Sequence, residues 1–381
     1  MTIRSTLLTL LALAPLACGA PKADTAQPEP APAPAPTPVA KPAAKPIPDG
    51  FFVLTPQLTV KGVDQAIEFY ARAFGATKVL AMPGPDGKTM HAEIKIGDSL
   101  VFLDEENVAE GMKSPLTLGG SPGSLMVYVA DADQTYAAAV TAGAKAEMPL
   151  EDQFWGDRYG QVIDPFGHRW AVGTHVEDLT AEQTQQRAAL AFAPPAKGAK
   201  KPAKPAKGKP AEPAWKKIAG TPAKQPVPGE YHTVTVSLTV AKAAEAIEFY
   251  KAAFGATEKD RMAMPDGKIM HTELRIGDSA LMLADEFPDM GGYKSATALG
   301  GSPIALHYYT PDVDANFAKI TAAGAKQIMP VTDMFWGDRY GAVVDPSGYM
   351  WGVATHTEDL SPEQMAERMK RDMAKGQKPT T

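Results

Sequence analysis

Two features of the sequence could do chemistry, and each occurs twice. His91 and Glu93 stand two residues apart, and His271 and Glu273 repeat them. In a strand, residues i and i+2 share a face, so imidazole and carboxylate point the same way. Such a couple is an acid–base pair, half of a metal site, or a wall pair that hydrogen-bonds its neighbours. The second feature is Phe154-Trp155-Gly156-Asp157-Arg158-Tyr159-Gly160, copied from Phe335 through Trp336, Asp338 and Arg339 to Gly341. Trp and Tyr offer a flat apolar contact with a polar handle, and Arg can hold a carboxylate or phosphate with two parallel hydrogen bonds. The alternative is structural: Asp157 and Arg158 pair with neighbours to fix a turn, while Phe154 and Trp155 pack inside. The candidate ligand-binding residues are therefore His91, Glu93, Trp155, Asp157, Arg158, His271, Glu273, Trp336, Asp338 and Arg339. No residue is assigned a catalytic role.

The elements that must position these groups follow from periodicity. Gln57–Val60 reads as a short apolar strand. Val63, Ile67, Tyr70 and Phe74 fall at helical spacing, and Gly75 sits where a helix C-cap belongs. Thr77–Met82, Thr89–Ile96 and Ser99–Asp104 read as strands separated by turn residues. The order then repeats: strand Ser124–Val129, helix Ala132–Ala142 ended by Gly143, and strands near Ala144–Leu150, Arg158–Asp164 and His168–Thr174. Each half is βαβββ. Hairpins dominate, so the class is α+β, with helices on one face of a curved mixed sheet. Trp170 and Trp351 are expected in the core. His168, replaced by Tyr349 in the second copy, is expected at the surface. His175 and His356 are expected to pin the chain before terminal helices at 180–193 and 361–375, the latter opened by a capping box with proline at the first helical position.

The whole βαβββ pair is written twice. AIEFY, AFGAT, PDGK, IGDS, LGGSP, FWGDRYG and TH-x-EDL recur at an offset of 180 residues, later 181. This divides the chain into 51–178, a helix at 179–193, a linker at 194–230, a second copy at 231–359, and a helix and tail at 360–381. The first copy carries nine Lys and Arg against eighteen Asp and Glu, and the second ten against seventeen. The linker from Pro194 to Pro228 holds nine Lys and one Glu. It reads as a solvated strap, or as one that lies on an anionic surface. The net charge of −6 is too close to balance to suggest nucleic acid, and one cysteine excludes an internal disulfide framework or a Cys-rich zinc site.

That cysteine is Cys18. Arg4, the apolar run Leu7–Ala17 and the small residue before Cys18 fit a signal peptide, residues 1–17. The run is about half the roughly 20 residues a spanning helix needs. Pro15-Leu16-Ala17-Cys18 resembles a bacterial lipobox, which implies cleavage before Cys18 and acylation of its sulfur. Residues 18–50 are a Pro/Ala-rich tether of extended character, roughly 3 Å per residue. The expected location is the bacterial cell envelope, facing periplasm or exterior, with the lipid bilayer as a partner through the acylated N-terminus. Without lipidation the protein is expected to be secreted.

The order of elements, AIEFY-x(2)-AFGA after the first strand, and DP-x-G before the last strand together resemble the vicinal oxygen chelate (VOC) superfamily. That is the glyoxalase, bleomycin resistance and dioxygenase group. PDGK-x-MH-x-E-x(2)-IGDS and WGDR resemble its PhnB-like branch. The resemblance covers two tandem domains, about two thirds of the chain, and implies paired modules enclosing a cleft that holds a metal or a ligand. The metal positions it implies fall on Gln57, Phe102, Ser124 and Ala171, and on Ser237, Met282, Ala305 and Gly352. Phe, Met, Ala and Gly offer no side-chain donor, so no metal and no other cofactor is expected.

The function read here is small-molecule binding in a cleft without the usual metal. A glyoxalase- or dioxygenase-type metalloenzyme using His91/Glu93 and His271/Glu273, and a drug-sequestering resistance protein with acidic clefts for cationic ligands, are the alternatives. The two modules of each copy are expected to pair with each other, because close modules win on effective concentration. That gives two self-contained domains joined as loose beads.

Overall fold

The computed structural model describes residues 44–84, 86–193, 212–290 and 293–374. The signal peptide, Cys18, most of the tether and the strap through residue 211 lie outside the described residues. No helix among those described is long and apolar enough to cross a membrane.

The first module runs β1 (Leu54–Val60), α1 (Val63–Phe74), β2 (Thr77–Pro83), β3 (Thr89–Ile96) and β4 (Ser99–Glu105). After the short α2 (Pro115–Leu118), the second runs β5 (Gly123–Tyr128), α3 (Ala132–Ala142), β6 (Lys145–Asp152), β7 (Asp157–Ile163) and β8 (Arg169–His175). A two-residue β9 (Glu177–Asp178), α4 (Ala181–Ala191) and a two-residue β10 (Thr221–Pro222) follow. The second copy opens with β11 (Val234–Val240), α5 (Ala243–Phe254), β12 (Thr257–Ala263), β13 (Ile269–Ile276) and β14 (Ser279–Asp285). It closes with α6 (Ala296–Leu299), β15 (Ile304–Tyr309), α7 (Val313–Ala322), β16 (Lys326–Asp333), β17 (Asp338–Val344), β18 (Met350–His356) and α8 (Pro362–Ala374). Gly75 ends α1 in the left-handed region, its N–H bonded to Ala71 O, as its position in the sequence predicts. Both terminal helices open with reciprocal caps, Thr180 with Gln183 and Ser361 with Gln364.

The sixteen long strands form two eight-stranded sheets in an α+β arrangement, in the orders β16-β17-β18-β15-β1-β4-β3-β2 and β12-β13-β14-β11-β5-β8-β7-β6. Each sheet therefore takes one module from each copy. This corrects the expected pairing within a copy. At the seams β1 runs antiparallel to β15, with Gln57 opposite Ala305, and β11 antiparallel to β5, with Ser237 opposite Ser124. The modules of one copy meet instead through their helices and loops: Tyr70 on α1 donates to Asp164 Oδ2 at 2.7 Å, and Tyr250 on α5 to Asp345 Oδ2 at 2.8 Å. One hydrophobic core, with Leu58, Leu103, Leu125, Leu306, Trp170 and Trp351 fully buried, runs through both sheets. The described residues form one compact unit rather than two beads.

The repeated IGDS turn explains the exchange. Asp98 and Ser99 accept from Thr233 N at 2.8 Å and Val234 N at 3.0 Å, where the other copy's first strand begins. Asp278 and Ser279 do the same for Val53 N at 2.9 Å and Leu54 N at 3.0 Å. Gly97 and Gly277 have φ of 59° and 58°, and a Cβ on either would run into Thr233 or Val53. Glycine is required there both for the turn and for the close approach of the partner copy. Phe52 and His232 stack at the same junction, centroids 3.4 Å apart. Effective concentration favours pairing within a copy, but the contacts of these turns are made to the other copy's first strand.

His168 is fully buried, not at the surface as expected. Its Nε2 lies 2.9 Å from Thr59 O, across to the other sheet. Tyr349, its counterpart, donates to Pro122 O at 2.7 Å and accepts from Thr239 N at 3.1 Å. Both side chains reach the same place in the two copies, Thr59 near the end of β1 and Thr239 near the end of β11, and the position faces the interior in each.

Candidate functional site

Each sheet curves around a concave face, and strand alternation decides what points into it. In the first cleft, built from β1–β4 and β15–β18, that face carries Gln57, His91, Glu93, Phe102, Asp104, His307, Tyr309, Asp338 and Tyr340. The opposite face carries core residues such as Leu58, Ile94, Leu103, Leu306 and Trp351. His91 and Glu93 do share a face, opposite Asp104 and Phe102 on β4.

Asp104 is the hub. Its Oδ1 lies 2.7 Å from His91 Nδ1, and Gln57 Nε2 donates to its Oδ2. Burial pulls the His91 pKa down, but the charge and hydrogen bond of Asp104 outweigh it, and the net shift is upward. His91 Nε2 has no hydrogen-bond partner among the described residues. Across the cleft, the His307 imidazole is 6% exposed and its buried Nε2 has no partner. Burial pushes its pKa down to about 4. Phe102 meets both imidazoles edge-on, at 5.3 Å from His91 and 5.5 Å from His307. Tyr309 and Tyr340 flank His307 at 4.5 and 5.6 Å. Phe51 packs on Phe102 and Tyr309, and Ile47 and Trp336 join the same cluster. The segment before β1 thus walls one side, pinned where His356 N donates to Pro46 O at 2.9 Å.

The WGDR segments divide between the two faces. Asp338 points inward and accepts from Tyr309 at 3.0 Å, Trp336 Nε1 at 3.1 Å and His356 at 2.7 Å. Asp157 is held alike by Tyr128 at 2.9 Å, Trp155 at 3.1 Å and His175 at 2.8 Å. Arg158 and Arg339 point the other way. Arg158 pairs with Asp133 on α3 at 2.6 and 2.8 Å and with Asp152 at 3.3 Å. Arg339 pairs with Asp314 on α7 at 2.7 Å twice and with Asp333 at 3.1 Å. Neither arginine reaches a cleft, because residues next to each other in a strand face opposite sides. His175 and His356 also bond Asp178 and Asp359 at 3.0 Å, which pins the chain after the last strand of each copy.

The second cleft, from β5–β8 and β11–β14, has the same frame and different chemistry. Ala284 replaces Asp104, Ser237 replaces Gln57 and Met126 replaces His307. His271 therefore has no carboxylate partner, and burial lowers its pKa. Glu273 accepts the Tyr231 hydroxyl, whereas the position matching Tyr231 in the first copy is Phe51, which has no hydroxyl to give. Tyr159 accepts from Gln161 at 2.5 Å, and Tyr293 bonds Gln161 in turn at 2.6 Å. The second cleft thus answers one oxygen of its glutamate and lacks the buried imidazole of the first, while the other Glu273 oxygen has no partner among the described residues.

Sequence reasoning missed Asp104 and His307. Both lie two residues along the same face from positions it had examined, Phe102 and Ala305. The signal was present: His307 sits in the alternating strand Leu306-His307-Tyr308-Tyr309 where Met126 stands in the copy. Their presence does not restore a family-type metal set. Asp104 is occupied by Gln57 and His91, the last strand offers Gly352 and Ala354, and Phe102 contacts both imidazoles. Among the described residues no three His, Cys, Asp or Glu side chains converge as ligands. The side chains present do not fit that metal.

The buried His307 makes a pH prediction. Its folded pKa, about 4, lies below its unfolded value, so between the two the unfolded chain binds the extra proton. Its contribution to stability is present above the ordinary histidine value and is lost as pH falls toward 4. Between pH 7 and pH 4 the melting temperature of wild type should fall further than that of His307→Phe. An unchanged gap over that range would show that His307 is not buried neutral.

The comparisons agree with this frame. The sequence model of the Glyoxalase/Bleomycin resistance protein/Dioxygenase superfamily matches residues 53–172 and 232–353, more than half of the chain. An uncharacterized protein of Mycobacterium tuberculosis is 41% identical over 135 residues, which are 35% of this chain and 79% of that one. An uncharacterized protein of Arabidopsis thaliana is 30% identical over 118 residues, 29% of this chain and 69% of that one. Among solved structures, a mutant of glyoxalase I from Zea mays aligns over 79% of this chain and 94% of its own, with TM-score 0.50 and 16% identity. That likeness is one of fold alone.

Proposed function

The chain belongs to the Glyoxalase/Bleomycin resistance protein/Dioxygenase superfamily, and from that premise we propose that it binds a small organic molecule in the first cleft, without the family's metal. The observation that carries this reading is the His307 imidazole, buried with an unpartnered Nε2 in an aromatic-walled cleft. A buried polar atom without a partner is costly, and a ligand that hydrogen-bonds it removes that cost. Native mass spectrometry of the purified full chain tests the reading. A bound organic molecule that is lost in His307→Phe is expected. Stoichiometric Zn, Ni, Fe or Mn in place of it would give the metalloenzyme reading instead.

The PhnB-like motifs PDGK-x-MH-x-E and WGDR support placement in that branch. Arg4, the apolar run and Pro15-Leu16-Ala17-Cys18 support export and lipid attachment at Cys18 to the bacterial envelope. Cys18→Ser should then release the protein from the membrane fraction, and membrane association of that variant would count against the anchor.

A further inference from the structure

The first cleft holds one carboxylate that the protein does not answer. Asp104 is taken by Gln57 and His91, and Asp338 by Tyr309, Trp336 and His356. Glu93 makes no hydrogen bond or ion pair with a described residue. It faces Asp338 across the cleft closely enough for the two charges to repel. Arg339 has turned to the helix face, and Lys95, next along the same face of β3, makes no ion pair with Glu93. Phe102 is the cross-strand neighbour of Glu93, Tyr309 lies close enough to feel its charge, and the unpartnered His307 packs on both rings, at 5.5 Å from Phe102 and 4.5 Å from Tyr309.

We propose that this cleft takes an organic cation with N–H donors at its charged end and a flat apolar body. The inference rests on the reading of the cleft as a ligand site and names what that site selects. The charged end gives one N–H to the Glu93 carboxylate and another to His307 Nε2, which accepts when its proton sits on Nδ1. The body lies against the aromatic walls, whose faces attract positive charge. An anion would meet the charges of Glu93 and Asp338, and the His91 imidazole near them is already paired with Asp104. Burial raises the Glu93 pKa, the nearby His91 pulls it down and Asp338 pushes it up again, for a net rise. The second cleft provides the contrast. There Tyr231 occupies one oxygen of Glu273, although the other has no partner among the described residues, and Met126 replaces His307.

Three compounds of one shape and different charge test this: benzamidinium, benzamide and benzoate, titrated calorimetrically into the full chain at pH 7.5. Benzamidinium should bind about tenfold or more tighter than benzamide, and benzoate more weakly than either. Glu93→Gln, an isosteric change, should abolish the preference with the cooperative melting curve in place, and Glu273→Gln should keep it. Equal binding of the three, survival of the preference in Glu93→Gln, or its loss in Glu273→Gln overturns the cation inference and leaves the first reading standing. Failure of all three to bind at millimolar concentration overturns the inference alone if the purified protein carries a different bound molecule. If it carries none, both readings fall together.

Discussion

The fragment 44–193, made without the second copy, should not fold as a monomer. Its β1 would lose β15, and its β5 would lose β11, so both seam strands would become bare edges. Asp98 and Ser99 would lose the backbone of Thr233 and Val234, and the shared core would open on one side. The loss is comparable to the whole net stability of a domain, roughly 5–15 kcal/mol. The fragment should elute as dimer or aggregate, or lack a cooperative melt. Adding the fragment 212–374 should restore one, because each sheet needs one module from each copy. A monomeric 44–193 with a concentration-independent, cooperative transition would show that the modules of one copy pair with each other after all.

The second large effect belongs to the DP-x-G turns. Asp345 is 3% exposed and accepts from Tyr250 at 2.8 Å, Trp351 Nε1 at 2.9 Å, Ser347 N at 2.8 Å and Tyr349 N at 2.9 Å. Asp345→Ala would leave three buried donors and the half-buried Ser347 N–H without their acceptor. Each costs about 1–3 kcal/mol, and allowing for relaxation the variant should lose about 3–5 kcal/mol. Asp164, which holds Tyr70, Trp170, Phe166 N and His168 N in the same way, should behave alike on Asp164→Ala. Urea unfolding measures both. A loss below about 1 kcal/mol would mean that water or a neighbouring group replaces the carboxylate with ease. Burial raises the Asp345 pKa, with the four donors opposing it, so proton loss is disfavoured in the fold relative to the open chain.

The repeat, the βαβββ modules, the glycine caps, the capping boxes and the buried tryptophans were all legible in the sequence, because each depends on neighbours within a few residues. Strand period two likewise placed His91 with Glu93 and His271 with Glu273. The same period places Asp157 and Arg158 on opposite faces, yet only the sheet shows which face is the cleft. Arg158 and Arg339 thus looked like ligand residues and are bound to helices instead. Asp104 and His307 enter the site for a related reason. Their roles depend on the register of β4 against β1 and of β15 against β18, which is set between distant segments. Module pairing was the least legible. The two copies present nearly the same strand edges, so local sequence cannot tell a module's own partner from its copy's. Three-dimensional packing decided it: the IGDS turn of each copy fits the first strand of the other, and the helices of one copy pack between sheets that the copies share.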